Sequence, residues 1–244
     1  MNNMILCEGE TDAILLSYYL QRTCGWRFVK KSPPGVNIKA DRIHGESANW
    51  YQRDGDHLLI CAVGSKNRFQ FFFDEKIAPP LKSSSGAVFS KIALIVDHDD
   101  ETEAEILQRI QRELPLVAQN ARHNAWVTHN YENGYHETQH LDFLLLIIPK
   151  DREGALETLL LSAISEDPYD KNIVDRSKEF VDSIAPEAGR YIGKRRLVLK
   201  AYLGVTWAIQ SPQKVFQFID DQLRDTRWEE SEILRETFEK ILEI

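Results

Sequence analysis

Two acidic motifs each follow a short apolar run, and their carboxylates have the chemistry to bind a divalent metal ion. Glu8 ends the first run, and Asp97 and Asp99 follow a later one. In open α/β sheets ligands collect beyond the carboxyl ends of the strands, so these acids are expected at one edge of a sheet. Alternation along a strand predicts that Asp97 and Asp99 face the same way. Because three converging carboxylates repel one another and a hard cation such as Mg²⁺ relieves that repulsion, the sequence predicts a metal site here.

The net charge argues against a simple nucleic-acid-binding protein. The chain has 30 Lys and Arg residues against 38 Asp and Glu, a net charge of −8, whereas phosphate contacts need clustered cations. The charge is unevenly distributed, because six of the nine residues from Asp97 to Glu105 are acidic while cations gather at residues 30–31 and 189–196. Bound metal ions would neutralise part of the acidic cluster, and the basic segment 194–196 suits a phosphate backbone.

Apolar runs alternate with helical patterns over the first two thirds of the chain. Near-continuous apolar runs are typical of strands buried on both faces, so we predict an α/β fold whose mainly parallel sheet has helices on both faces. The strands are expected at residues 4–7, 58–63, 91–96, 125–128 and 143–148. Helices are expected at 13–20, capped by Thr11 or Asp12, and at 68–76, 101–114 and 153–164. Residues 31–57 are expected to form a long loop or a small hairpin, and residues 82–86 and the polar segment between 128 and 143 are expected to be loops.

The last third of the chain has no convincing strand. Amphipathic patterns predict a C-terminal helical appendage, with helices at 174–185, 190–203, 212–223 and 229–242. We therefore predict a sheet domain over residues 1–165 and a helical region over 166–244.

The composition is that of a cytoplasmic protein. The three cysteines, Cys7, Cys24 and Cys61, are an odd number without CxxC spacing, which argues against a disulfide framework or a zinc knuckle. The sequence shows no secretory signal, no apolar run of membrane-spanning length and no P-loop. We expect no membrane contact and no ATPase activity of the chain itself.

The order and placement of the two acidic motifs resemble a known family. Glu8-Gly-x-x-Asp12 after one strand, and Asp97-x-Asp99 after a later one, look like the Toprim domain of topoisomerases, primases and OLD-family nucleases. Residues 64–67, residues 154–160 and the helix containing 194–203 resemble a subset of these, the small stand-alone Toprim proteins related to OLD nucleases and to effectors of phage-defence systems. The resemblance covers residues 4–165, and the C-terminal helices match more loosely.

The resemblance implies cleavage of phosphodiester bonds in DNA or RNA with Mg²⁺ or Mn²⁺. Glu8 would be a metal ligand or general acid/base, Asp97 and Asp99 metal ligands, and Asp12 an auxiliary ligand. OLD-type nucleases also use a lysine to stabilise the transition state. The candidates for this lysine are Lys66, Lys194 and Lys200. We expect Lys194 or Lys200 to be the catalytic one, and the residues that contact the nucleic acid to be Lys66, Arg195 and Arg196.

Several alternatives remain open at the level of sequence. Asp97, Asp99 and Asp100 suit a turn that caps the next helix, Glu157 suits either the metal site or a solvent-facing helix position, and the four histidines between residues 123 and 140 suit a polar loop better than a zinc site. One functional alternative is a metal- and nucleic-acid-binding Toprim subunit that regulates, or is regulated by, a partner ATPase. Another is a phosphoryl-transfer enzyme of the primase or phosphatase type. The sequence is also compatible with a homo-oligomer.

Overall fold

A seven-stranded sheet forms the centre of the molecule. The computed structural model describes residues 1–83, 88–214 and 219–244. The strand order is β2-β3-β4-β1-β5-β7-β6. The strands are β1 (Asn2–Cys7), β2 (Arg27–Val29), β3 (Ser47–Arg53), β4 (Asp56–Ala62), β5 (Lys91–Asp97), β6 (Trp126–Glu132) and β7 (Thr138–Ile148).

The four central strands confirm the α/β prediction. Strand β1 pairs in parallel with β4 on one side and with β5 on the other, and β5 pairs in parallel with β7. These strands correspond to the four long apolar runs, which are buried on both faces as parallel strands require. Parallel pairing places the carboxyl ends of β1 and β5, and with them both acidic motifs, at the same edge of the sheet.

Antiparallel hairpins flank this parallel centre, and the sequence revealed them only in part. Of the two structures expected for residues 31–57, a long loop or a small hairpin, the hairpin is observed, because β3 pairs with β4. Strand β2 pairs with β3 and adds a further strand at that edge of the sheet. The loop expected between residues 128 and 143 is confined to residues 133–137, because β6 and β7 extend into the rest of the segment and form a second hairpin. Its polar character has a physical reason: side chains of β6 alternate between buried and exposed, as in an edge strand with one solvated face.

Helices cover the sheet between the strands. They are α1 (Glu10–Cys24), α2 (Phe69–Phe72), α3 (Ala78–Ser83), α4 (Glu103–Glu113) and α5 (Leu156–Ile164). The helix predicted at 68–76 is a composite, since a π-helical turn at Phe73–Ile77 joins α2 to α3. Helix α4 is capped by Thr102, whose hydroxyl accepts a hydrogen bond from the Glu105 amide, and not by Asp100. Of the loop predicted at 82–86, the first two residues lie in α3 and the rest fall outside the described residues.

The C-terminal region is helical, as predicted, and no strand occurs from residue 166 onward where the chain is described. Its helices are α6 (Pro168–Ile184), α7 (Gly189–Ile192), α8 (Arg195–Gln210), α9 (Ile219–Asp225) and α10 (Glu232–Thr237). The helix predicted at 212–223 is described only in part, because residues 215–218 lie outside the described residues. In the described ranges, no helix has the length and apolar character needed to cross a bilayer.

Two hydrophobic cores lie on opposite faces of the sheet, because alternate residues of each central strand point to opposite sides. Residues of α2, α3 and α4 pack on one face. Helices α1 and α5 pack on the other face together with the C-terminal helices, where Phe238 meets Tyr19 edge-on at 5.3 Å between ring centroids. The C-terminal helices therefore share a core with α1 and α5.

Candidate functional site

Glu8 and Asp97 meet at the carboxyl edge of the sheet. Glu8 follows β1 directly, Asp97 is the last residue of the adjacent strand β5, and the Asp97 amide donates a hydrogen bond to Glu8 Oε1 at 3.2 Å. The two residues are only 1% and 2% exposed. The structure thus brings together two of the three acids that the sequence predicted to converge.

Asp12 joins them from the first turn of α1. Gly9, and not Thr11 or Asp12, occupies the position that caps α1. Asp12 Oδ2 accepts a hydrogen bond of 3.0 Å from the Gly9 amide, so its carboxylate is folded back toward the start of the helix. A Cβ atom at Gly9 would lie 3.0 Å from that same oxygen, which explains why glycine suits this position.

Asp99 is held by a different backbone arrangement, because strand β5 ends at Asp97 and the expected alternation stops there. Asp99 has a left-handed backbone with φ 49° and is bridged to Gly154, whose oxygen accepts a hydrogen bond of 2.6 Å from the Asp99 amide. Its carboxylate accepts a hydrogen bond of 3.0 Å from Lys66 Nζ. Gly154 has φ 149°, and a Cβ there would come within 2.4 Å of Thr158 Oγ1, so glycine is required to hold this bridge.

Among the described residues, Arg196 is the cation that pairs with Glu8 and Asp97. It lies in the first turn of α8, where its NH2 atom is 3.3 Å from Asp97 Oδ2 and its NH1 atom is 3.7 Å from Glu8 Oε2. Its side chain remains 44% exposed, so one side of the guanidinium faces solvent. The second oxygen of Asp97, Oδ1, accepts a hydrogen bond of 3.1 Å from the Leu156 amide at the start of α5.

The other predicted cations lie around this centre in different ways. Lys66 forms ion pairs with Asp99 and Glu101. Lys200 Nζ lies 3.5 Å from Glu157 Oε1. Lys194 is exposed immediately before α8, and Arg195 pairs with the exposed Glu153 at 2.7 Å.

The buried carboxyls resist ionisation. Burial, reinforced by the charges of Asp12 and Asp99 and opposed by Arg196, raises the pKa of Glu8 to about 7. Burial also raises the pKa of Asp12 to about 6, with Glu157 adding to the shift, and raises the pKa of Asp97, with Asp12 and Glu8 adding to it. Such shifts concentrate at functional sites, because structural acids are normally paired. The cluster of Glu8, Asp12 and Asp97 therefore favours the binding of a proton or a cation.

Two contributors were not assigned from the sequence. Glu157, left open between a site residue and a solvent-facing one, is only 8% exposed, and its charge acts on Asp12. Arg196 was assigned to nucleic acid, and its contact with Glu8 and Asp97 was missed. For Glu157 the available signal was the Gly154-Ala155 pair, which lies just before the start of α5. No local signal exists for Arg196, which lies 99 residues from Asp97.

Among residues 1–83, 88–214 and 219–244, no three His, Cys, Asp or Glu side chains are close enough together to form a ready-made metal cage. Glu8 and Asp97 are the neighbouring pair, and Glu8 Oε2 is buried with no hydrogen-bond partner in the described part of the chain. The site therefore offers a two-carboxylate platform rather than a complete ligand set.

Comparison with known proteins gives a family but no activity. No curated protein matches the chain. A crystal structure of a hypothetical protein from Pyrococcus horikoshii OT3 is 16% identical, covers 98% of this chain and 99% of its own, and superposes with a TM-score of 0.47. A family model described as a protein of unknown function, DUF3226, matches residues 2–243. The chain belongs to the DUF3226 family.

Proposed function

We propose that the protein is a Toprim-type nuclease of the cytoplasm that hydrolyses phosphodiester bonds in DNA or RNA with Mg²⁺ or Mn²⁺, and that it serves as an effector of antiviral defence. The observation that carries the hydrolytic activity is the burial of Glu8, Asp12 and Asp97 beside one another at the carboxyl edge of the parallel strands. A fold gains no stability from a buried carboxylate oxygen that has no hydrogen-bond partner, as Glu8 Oε2 has none among the described residues, so a ligand that binds it is the simplest reason for the arrangement.

The donor set fits a hard divalent cation. The acids offer only oxygen, and Glu8 Oε2 has no hydrogen-bond partner among the described residues. Mg²⁺ is commonly held by one or two carboxylates, several waters and substrate phosphates, so a full protein cage is not needed. Glu8 and Asp97 would hold the ion, with Asp12 and Asp99 nearby. When bound, such an ion supplies polarisation of the phosphate and activation of water.

The protein's own groups have separate tasks in this proposal. The Leu156 amide fixes the orientation of Asp97, and the Asp97 amide fixes Glu8. Glu8 has one of two tasks: it is a ligand of the ion, or its Oε2 atom holds and releases a proton. The half-exposed guanidinium of Arg196 is placed to bind the phosphate of the substrate, since Arg presents a planar fork that matches phosphate oxygens.

A cleavage assay tests the proposal. Plasmid, single-stranded DNA and RNA are incubated with the wild-type protein in Mg²⁺, in Mn²⁺ and in EDTA. We expect metal-dependent cleavage, and Glu8→Gln should lower its rate by about 10²- to 10⁴-fold, as is typical for loss of a positioned acid or base. Asp100→Asn is the matched control, because Asp100 is an exposed acid of the adjacent turn, and it should cleave like the wild type.

Metal binding is tested separately by thermal melting. Mn²⁺ should stabilise the wild-type protein by an amount that grows with its concentration, because the ion binds the folded state. Asp97→Asn should lose most of this stabilisation, and an identical response of both proteins would exclude Asp97 as a ligand. A wild-type protein that binds Mn²⁺ and nucleic acid but cleaves neither DNA nor RNA would reject hydrolysis and favour a binding subunit for a partner ATPase.

A further inference from the structure

A cavity of about 310 Å³ opens between α1, α5, α8 and α9. Its walls are mainly apolar, with a few polar groups, and include Thr11, Leu156, Glu157, Lys200, Gly204 and Trp207. Its volume lies at the lower end of the range for small-molecule pockets, which share this mixture of apolar walls and few polar groups. Of the residues named here, Lys200 has a role above as one of the two candidate catalytic lysines, and Leu156 has one through its amide, but neither role uses the space of the cavity.

The cavity and the acidic site share a wall. Leu156 lines the cavity, and its amide donates the 3.1 Å hydrogen bond to Asp97 Oδ1. Glu157 also lines the cavity, and its charge raises the pKa of Asp12. Both the acids and the cavity therefore adjoin the start of α5.

Gly204 leaves room in the cavity at a cost to its helix. Glycine inside a helix is less stable than alanine, yet Gly204 lies near the middle of the 16-residue helix α8. A Cβ atom added at Gly204 would have no heavy atom within 4 Å, so the missing side chain keeps space open rather than avoiding a clash. Trp207, one turn further along α8, provides an aromatic wall to the same space.

We propose that this cavity binds one base of the nucleic-acid strand whose phosphate lies at the acidic site, an inference that rests on the proposed function. A nucleobase has flat apolar faces and a polar edge, which match the indole of Trp207 and the polar groups of Glu157 and Lys200. A base can enter only after it leaves its stack, so the cavity favours single-stranded or locally opened substrates. Stacking on an aromatic side chain tolerates any base and contributes substantially to affinity for single strands.

Fluorescence of a stacked base tests the proposal directly. The probes are short oligothymidine and oligouridine strands that each contain one 2-aminopurine, a base whose fluorescence is quenched by stacking. Binding is followed in EDTA, and again in Mg²⁺ before cleavage begins. The variants are Gly204→Leu and Gly204→Ala, which fill the cavity by different amounts, and Trp207→Leu, which removes the aromatic face. Gly189→Leu is the matched control, because Gly189 is an exposed helical glycine outside the cavity whose Cβ would also meet no atom within 4 Å.

The wild-type protein should quench 2-aminopurine, and Trp207→Leu should lose that quenching. Gly204→Leu should weaken binding by roughly 5- to 150-fold, the range expected for one stacked base. Gly204→Ala should fall between it and the wild type, and Gly189→Leu should match the wild type. Each variant should keep the wild-type stabilisation by Mn²⁺, which shows that the fold and the acidic site are intact.

Two results would overturn the base-binding cavity. One is a wild-type protein that binds neither probe, or binds without quenching. The other is binding and quenching by Gly204→Leu and Trp207→Leu at wild-type strength. Cleavage measured in parallel separates this inference from the nuclease proposal. Quenching without cleavage would support the base-binding cavity and reject hydrolysis. Cleavage at the wild-type rate by both Gly204→Leu and Trp207→Leu would support hydrolysis and reject the base-binding cavity.

Discussion

Replacing Arg196 by methionine tests whether its guanidinium competes with a divalent ion for the same two carboxylates. The guanidinium lies 3.3 Å from Asp97 and 3.7 Å from Glu8, and so neutralises part of the charge that would attract a metal. Methionine keeps a long apolar stem without the charge. We therefore expect Arg196→Met to bind Mn²⁺ more tightly than the wild-type protein.

The size of the effect follows from the distances and the exposure. Coulomb's law at an effective dielectric constant of ~20 gives roughly 4 to 5 kcal/mol for each ion pair, as an upper bound. Arg196 is 44% exposed, so solvent screening reduces each pair to about 0.5 to 1 kcal/mol. Two pairs then contribute about 1 to 2 kcal/mol, which corresponds to roughly 5- to 30-fold tighter binding.

Calorimetric titration with Mn²⁺ measures this change, and Arg195→Met is the control. Arg195 is the adjacent residue, carries the same charge and pairs with Glu153 rather than with Glu8 or Asp97. Its loss should change the affinity by less than about 2-fold, because an exposed charge is largely screened. Unchanged or weaker binding by Arg196→Met would refute the competition, and an equal gain in both variants would show only a long-range effect of net charge.

Four further substitutions test the electrostatics of two buried acids and the catalytic role of two lysines. Without metal, Asp97→Asn should raise the melting temperature more at pH 8 than at pH 5: burial raises the pKa of Asp97, so the ionised form destabilises the folded protein as pH rises. Glu46→Gln should cost about 3 to 5 kcal/mol in urea unfolding at pH 7. This loss should shrink as pH falls below the ordinary glutamate pKa, because hydrogen bonds from Lys76 and Arg68 outweigh burial and lower the pKa of Glu46. If a lysine stabilises the transition state, its replacement by methionine should lower kcat of cleavage with little change in KM. We expect this result for Lys200→Met or for Lys194→Met. If neither variant shows it, both lysines are excluded from that role.

The sequence predicted the parts of the site that depend on local patterns. An apolar run ending in an acid identifies both Glu8 and Asp97, because a buried parallel strand must change character where it leaves the core. Their meeting also followed, since parallel neighbours end at the same edge. The hairpin of β6 and β7 was mistaken for a loop because its residues are mostly polar.

The rest of the site depends on contacts between distant parts of the chain. Arg196 reaches Asp97 across 99 residues, and nothing in its neighbourhood indicates which of the clustered cations points inward. The backbone conformation of Asp99 was not predicted for a different reason: the period of two holds only while the strand continues, and Asp99, bridged to Gly154, lies beyond the end of β5 with a left-handed backbone. Backbone conformation at a single residue is beyond what spacing can predict.

A second buried glutamate shows what a purely structural arrangement looks like in this protein. Glu46 has a fully buried side chain, and its oxygens accept hydrogen bonds from Arg68 NH2 at 2.8 Å, from the Asp41 amide at 2.7 Å and from Lys76. Two cations and an amide therefore satisfy one carboxylate, and its pKa is lowered despite burial. Such a group is complete within the fold and offers no free oxygen to a ligand.

Glu8 is equally buried but is not completed in this way. One oxygen accepts a single hydrogen bond of 3.2 Å from the Asp97 amide, while Oε2 has no hydrogen bond in the described ranges and its nearest cation, Arg196, stays 3.7 Å away. Its pKa moves in the opposite direction to that of Glu46, to about 7. The same fold supplies two cations to Glu46 but places Glu8 beside other acids. The missing hydrogen bond at Glu8 Oε2 therefore reflects the surroundings of Glu8 and not a shortage of cations in the chain. An unsatisfied buried oxygen destabilises the folded state unless something outside the protein binds it, and that is the physical argument for a ligand at Glu8.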